Sequence, residues 1–187
     1  MKHNREFEIA WQGLKPGVHT FEYEIDNRFM HEHGETEEDI KDIQAVVKVT
    51  FDKQTNFFML HFDVGGFVKV PCDRCGDEFS LQLWDEFDLL IKLIGEDATE
   101  IDEESDVVFI PRHETVIDLS NWLYEFVMLS IPLQRVHPEI EEGKSGCNPD
   151  VLDLLVQLAE PEAEVKPANE IWKGLEILKD ETKSKKH

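Results

Sequence analysis

From Ile43 to Leu93 apolar side chains return at every second residue, and that period commits the middle of the chain to half-buried antiparallel strands. Ile43, Ala45, Val47, Val49 and Phe51 alternate with Gln44, Lys48, Thr50 and Asp52. Asp52-Lys53-Gln54-Thr55-Asn56 has the composition of a hairpin turn. The period resumes at Phe58, Leu60, Phe62 and Val64, then again at Phe79, Leu81 and Leu83 and at Phe87, Leu89, Ile91 and Leu93. Two places interrupt it. Gly65-Gly66 permits a sharp bend or bulge before Phe67–Val70, and Trp84 breaks phase beside Asp85, where a bulge is expected. Upstream, Phe7, Ile9 and Trp11 form one further strand candidate and Phe21, Tyr23 and Ile25 another, with a turn around Pro16 between them. Glu32 to Asp42 reads as an acidic turn.

The pattern changes after Leu93. Residues 95–106 carry seven carboxylates and no basic residue, the composition of a solvated loop. Val107–Ile110 and Thr115–Ile117 are short strand candidates. Asp118 or Ser120 can cap a helix whose apolar face is Leu119, Leu123, Phe126, Val127 and Leu129, ended by Pro132. Residues 135–149 are irregular. Pro149-Asp150 opens a short helix to Leu158 with Leu152, Leu155 and Val156 as its expected buried face. A linker at 160–167, a last helix at 169–179 and a basic tail complete the chain. The expectation is an α+β fold: a predominantly antiparallel, curved β-sheet with two or three short C-terminal helices. Residues 1–160 form one domain, and 161–187 are linker, short helix and tail. Twelve Phe and four Trp in 187 residues supply enough bulk for a core.

Charge restricts the partners. The chain has 41 acidic against 19 basic residues, a net charge of −22. Binders of naked nucleic acid present basic surface to the phosphates, so no direct grip on naked nucleic acid is expected here. A basic partner suits this chain better. No apolar stretch has the length of a membrane helix or of a signal peptide, and an odd cysteine count does not make a secreted disulfide framework. No membrane association and a cytoplasmic location are expected.

Two of the three cysteines stand in Pro71-Cys72-Asp73-Arg74-Cys75-Gly76, a Cys-x-x-Cys turn between strands. Two thiolates so spaced can hold one side of a metal ion, and glycine after the second supplies the positive φ such a turn favours. Structural zinc takes four ligands. Cys147 is the candidate third, and His137, in the same irregular segment, is the candidate fourth, with His113 as an alternative. A thiol/disulfide redox role for Cys72 and Cys75 calls for a helix after the pair, where the dipole lowers a thiol pKa; the residues that follow alternate as a strand. A third reading leaves the thiols without a role. His31 and His33 read as exposed, and His61 falls on the polar face of its strand. No phosphate loop, nucleophile elbow or His-Glu-x-x-His occurs, and nothing in the chain requires an enzyme.

Taken together, Pro71–Gly76 between alternating strands, the acidic loop, Ile117-Asp118-Leu119, Glu125, Leu129-Ser130-Ile131-Pro132, the later Cys147 and the ending Asn169-Glu170-Ile171-Trp172-Lys173-Gly174-Leu175 resemble the YceD family over roughly residues 40 to 180. That family is described as promoting accumulation of large-subunit ribosomal RNA. The resemblance implies a non-catalytic role in ribosome biogenesis, with a basic ribosomal protein or a large-subunit assembly particle as partner. Where the family pattern has a second cysteine pair, this chain has Cys147 alone. Two other classes stay open: a redox protein using Cys72 and Cys75, and an acidic adaptor unrelated to ribosomes.

Overall fold

The alternating run folds as the centre of a five-stranded sheet. The computed structural model describes residues 5–34, 39–95, 107–141 and 144–159. Most of the expected acidic loop, the linker, the last helix and the basic tail lie outside the described residues. The chain divides into two compact units, residues 1–148 and 149–187. Among the described residues, no helix is long and apolar enough to cross a membrane.

In chain order the first unit has β1 (Glu8–Ile9), β2 (Gly17–Asp26), α1 (Asn27–His33), β3 (Lys41–Lys53), β4 (Phe57–Pro71), β5 (Glu78–Ile94), β6 (Val107–Pro111), β7 (Ile117–Asp118), α2 (Ser120–Leu129), β8 (Glu139–Glu141) and β9 (Lys144–Ser145). Strands β2, β3, β4 and β5 pair antiparallel in sequence order, and β6 closes the sheet parallel to β5. The fold is α+β with a curved, open sheet.

Because strand side chains alternate between faces, one register fixes one core. Val47 sits opposite Val64, Val49 opposite Phe62 and Phe51 opposite Leu60, while Phe58 faces Ile91 and Phe62 faces Phe87. All of these but Phe87 are buried, and Phe87 is half-buried against the core. Helix α2 covers this face with Leu123 and Val127, and its Phe126 ring stacks on Phe87 at 4.5 Å and meets Phe62 edge-on at 4.8 Å. Asp118 opens the helix, its Oδ1 accepting from Ser120 N at 2.9 Å and from Ser120 Oγ at 2.6 Å. Ser130 N and Oγ both donate to Phe126 O at its end, before Pro132. Leu129 faces outward instead of joining the buried face.

Several expectations need correction. Between β4 and β5 no bulge occurs at Trp84 or at Gly65-Gly66, since the register holds from Phe57↔Lys92 to Pro71↔Glu78; on the β3 side the pairing does shift just past Gly66, between Gln44↔Phe67 and Lys41↔Lys69. Trp84 is not out of phase but belongs to the outward set, and Asp85 takes the core-side position. The irregularity lies in β3 between Lys41 and Gln44, where Asp42 adopts φ +49. There β4 keeps its course by using Gly66 at φ +141, where a Cβ would lie 2.2 Å from Gln44 O. Phe7, Ile9 and Trp11 are all buried, but only Glu8–Ile9 is strand, pairing with β7. Burial at period two there comes from a short extended segment followed by a 3-10 turn at Trp11–Gly13. The expected acidic turn overlaps α1 at Glu32 and His33, and its residues 35–38 lie outside the described residues; α1 is capped by Asp26 Oδ1 accepting from Phe29 N at 2.9 Å. His33 is therefore half-buried, its ring 4.3 Å from that of Phe29, rather than exposed, whereas His31 is exposed.

In the second unit, α3 (Pro149–Ala159) matches the expected helix. Its expected apolar face is not buried among the described residues, with Leu155 41% and Val156 64% exposed.

Candidate metal centre

The long β4–β5 hairpin ends in the Cys-x-x-Cys turn. Cys72 N donates to Asp77 O at 2.9 Å and Gly76 N to Cys72 O at 2.8 Å, so the turn is closed by backbone bonds. Gly76 holds φ +79, and a Cβ there would touch nothing; its role is conformational rather than spatial. No helix follows, since β5 begins at Glu78.

A second, smaller turn approaches from the other end of the unit. Strands β8 and β9 pair within the segment read as irregular, with His137 just before β8 and Cys147 just after β9. Gly146 N donates to Pro138 O at 3.1 Å, and a Cβ on Gly146 would lie 2.7 Å from that oxygen, so the two arms close only over glycine. An ion pair and two hydrogen bonds pin this segment to the first turn: Asp73 N donates to Arg135 O at 2.7 Å, Arg135 N to Asp73 Oδ2 at 2.6 Å, and Arg135 Nε lies 3.7 Å from Asp73 Oδ1. Arg74 Nη1 also donates to Ser145 Oγ at 3.3 Å, and Asn148 Nδ2 to Asp77 Oδ2 at 3.2 Å. The His137 ring packs 4.5 Å from that of Phe79.

The result brings all four candidate ligands together. The sulfurs of Cys72, Cys75 and Cys147 and one ring nitrogen of His137 lie within 4.8 Å of one another, close enough for one ion. Cys72 Sγ is 3.7 Å from Cys147 Sγ, and Cys75 Sγ is 3.5 Å from His137 Nδ1. Two sulfurs each ~2.3 Å from one tetrahedral ion stand ~3.8 Å apart, and a sulfur and an imidazole nitrogen ~3.6 Å. A disulfide needs ~2.05 Å, and all three cysteines are free thiols. His113, the alternative fourth ligand, is not in the cluster.

Electrostatics around the sulfurs separates them. Burial pushes the Cys72 thiol up, but the backbone N–H groups of Cys75, Arg74 and His137, aided by the His137 side chain, outweigh it and bring it down to about 6. At Cys75 the N–H groups of Asn148 and Asp77 favour the thiolate; desolvation and the neighbouring thiols of Cys72 and Cys147 oppose them and leave it raised. Cys72, the sulfur brought down, is buried and so closed to a substrate disulfide. Asp73, Arg135 and Gly146 escaped sequence reading. Their roles depend on contacts across long separations, and only the glycine next to Cys147 left a local trace.

The fold and this cluster define an α+β chain in which the turn between β4 and β5 and the segment around β8 and β9 bring three cysteines and one histidine together. A family model described as the large ribosomal RNA subunit accumulation protein YceD matches residues 60–179, which include both turns, β5 and α2. The chain belongs to the YceD family. No curated protein and no solved structure matches it.

Proposed function

We propose that this chain is a non-catalytic factor that supports accumulation of large-subunit ribosomal RNA in the cytoplasm, and that it does so by binding a basic ribosomal protein or an assembly particle that contains one. The family match across the ligand-bearing region carries this reading. The charge refines it. A chain of net charge −22 is repelled by bare phosphate and attracted to lysine- and arginine-rich protein surfaces. Within it, Cys72, Cys75, Cys147 and His137 hold one structural zinc that locks the two turns together. Zinc at such a site contributes to folding, and its ligands leave no open coordination position for chemistry.

Sedimentation of lysate from cells carrying the tagged chain tests the association. Co-migration with large-subunit precursors at low salt, lost as salt rises, is the expected result. Absence of the chain from every such precursor at low salt, or unchanged large-subunit rRNA when the chain is deleted, refutes it.

A further inference from the structure

The outward face of the sheet carries a patch used neither by the core nor by the metal centre. Register places Glu24, Val46, Gly65 and Trp84 in one row across β2 to β5, and Phe67 in the next. Trp84 is 79% and Phe67 53% exposed. Gly65 beside Trp84 offers no side chain to cover the indole, and a Cβ there would meet nothing within 4 Å. The row on the other side of Trp84 sets Asp63 directly opposite Glu86. Like charges in that position cost a sheet stability. Lys48 on β3 stands opposite Asp63 in the same row, and the His61 ring lies between two carboxylates, Nε2 4.0 Å from Glu86 Oε2 and Nδ1 2.8 Å from Asp88 Oδ1.

The same strand is a sheet edge. Among the described residues, β5 pairs on its far side only from Leu90 onward, where β6 begins. Cys72 N donates to Asp77 O and Leu93 N to Asn56 O, so the odd-numbered residues of β5 turn their backbone groups toward β4. The even-numbered ones, Ser80, Gln82, Trp84, Glu86 and Asp88, turn theirs outward. One outward amide is met locally, with Glu86 N donating to Asp85 Oδ1 at 2.9 Å. An edge unpaired among the described residues, beside an exposed aromatic ring and carboxylates that outnumber their basic neighbours Lys48 and His61, is the arrangement that accepts an added strand with cationic side chains.

We propose that the β5 edge binds an extended lysine- or arginine-rich segment of a partner protein, added antiparallel or parallel beside Ser80–Asp88, with a cationic side chain over Trp84 reaching to Glu86 and Asp63. This deepens the reading of a basic protein partner and rests on it. Single-stranded RNA would also stack on Trp84, but its phosphates would meet Asp63 and Glu86 on the same face, so the charge favours protein.

Residue-resolved amide hydrogen exchange on the full chain tests the proposal, with three probes: a short peptide alternating Arg and Val, its Glu–Val counterpart, and oligouridylate. The Arg–Val peptide should slow exchange at Ser80, Gln82, Trp84 and Asp88 at low salt, and the Glu–Val peptide should not. Trp84→Ala should weaken Arg–Val binding about tenfold with an unchanged melting midpoint, since the side chain packs on little, and Glu86→Gln with Asp63→Asn should weaken it further and flatten its salt dependence. Protection by oligouridylate alone overturns the proposal, as does protection outside β5 or wild-type affinity in Trp84→Ala. Edge protection without any probe that grows with protein concentration also overturns it, because a second copy then holds the edge. Co-sedimentation with large-subunit precursors separates the two readings. If Trp84→Ala co-sediments as wild type does, the edge fails and the functional reading stands. If wild type does not co-sediment, the functional reading fails and the peptide experiment alone decides the edge.

Discussion

Replacing Cys147 by serine tests the metal centre most directly. Cys72 Sγ and Cys147 Sγ already stand at 3.7 Å, and Cys75 Sγ and His137 Nδ1 at 3.5 Å. These are within about 0.1 Å of the edges of a tetrahedron around zinc built from typical bond lengths. All four ligand atoms lie within 4.8 Å of one another, so closing them on an ion changes the remaining distances by about 1 Å at most, and the binding free energy is available to stabilise the folded chain. With free zinc at a thousand times Kd, that linkage is worth about 4 kcal/mol, or about 10 °C in melting midpoint for a chain of this size. Wild type purified without added metal is expected to contain about one zinc per chain, to lose it to a chelator, and to melt lower afterwards by that amount. Cys147→Ser is expected to melt near the stripped wild type and to gain little on adding zinc. Cobalt substitution gives an independent readout, because tetrahedral thiolate ligation produces intense visible bands that the variant should lack. A stripped wild type that melts where the untreated protein does, together with no zinc by elemental analysis, would refute the reasoning, since the observed spacing would then be packing of thiols and not a preformed site.

Asp73→Ala removes the carboxylate that holds Arg135 and, through it, the segment bearing His137. Zinc affinity should fall about 10–100-fold, measured by competition with a chelator, while the four ligands remain. Gly66→Ala puts a Cβ into the backbone of β3 at a φ that side chains avoid. It should lower unfolding free energy by about 3 kcal/mol or more in a denaturant titration with little change in slope. Tyr23, buried on β2, has its phenol pushed up to about 12 by desolvation. A raised folded pKa means full stability below the unfolded value and loss as pH rises toward the folded one. Wild type should therefore lose about 2–3 kcal/mol between pH ~10 and ~12 that Tyr23→Phe does not, seen as a difference in their urea midpoints across that range.

The strands of the sheet were legible because burial on one face imposes a local period, and within Ile43–Phe51 and within Phe58–Val64 every second residue is buried. Helix α2 was legible for the same reason at its own spacing. The misread features share a different cause. Gly65-Gly66 and Trp84 resemble breaks in one strand, but whether a strand bulges depends on what both neighbours do. Here the extra residue sits in β3 near Asp42, opposite the stretch of β4 that follows Gly66, while β4 and β5 stay in register. Phe7, Ile9 and Trp11 have strand period yet form little strand, because only β7 lies beside them. The parallel placing of β6 likewise follows from which edge was left to pair with, not from Val107–Pro111 themselves.

By itself the sequence determined what depends on near neighbours: the alternation that makes the sheet, the Cys72–Cys75 turn with Gly76 at positive φ, the start of α2 at Asp118 to Ser120, and the net charge of −22. Only the tertiary structure decided what depends on distant ones. It carries His137 to Cys75 across 62 residues and Cys147 to Cys72 across 75. It does so through the Asp73–Arg135 contacts and the close approach of Gly146 to Pro138. Spacing along the chain can offer two ligands on one turn, because a few fixed dihedrals place them. The other two arrive through a second hairpin whose position is set by packing against the first, and no period in the sequence encodes that distance.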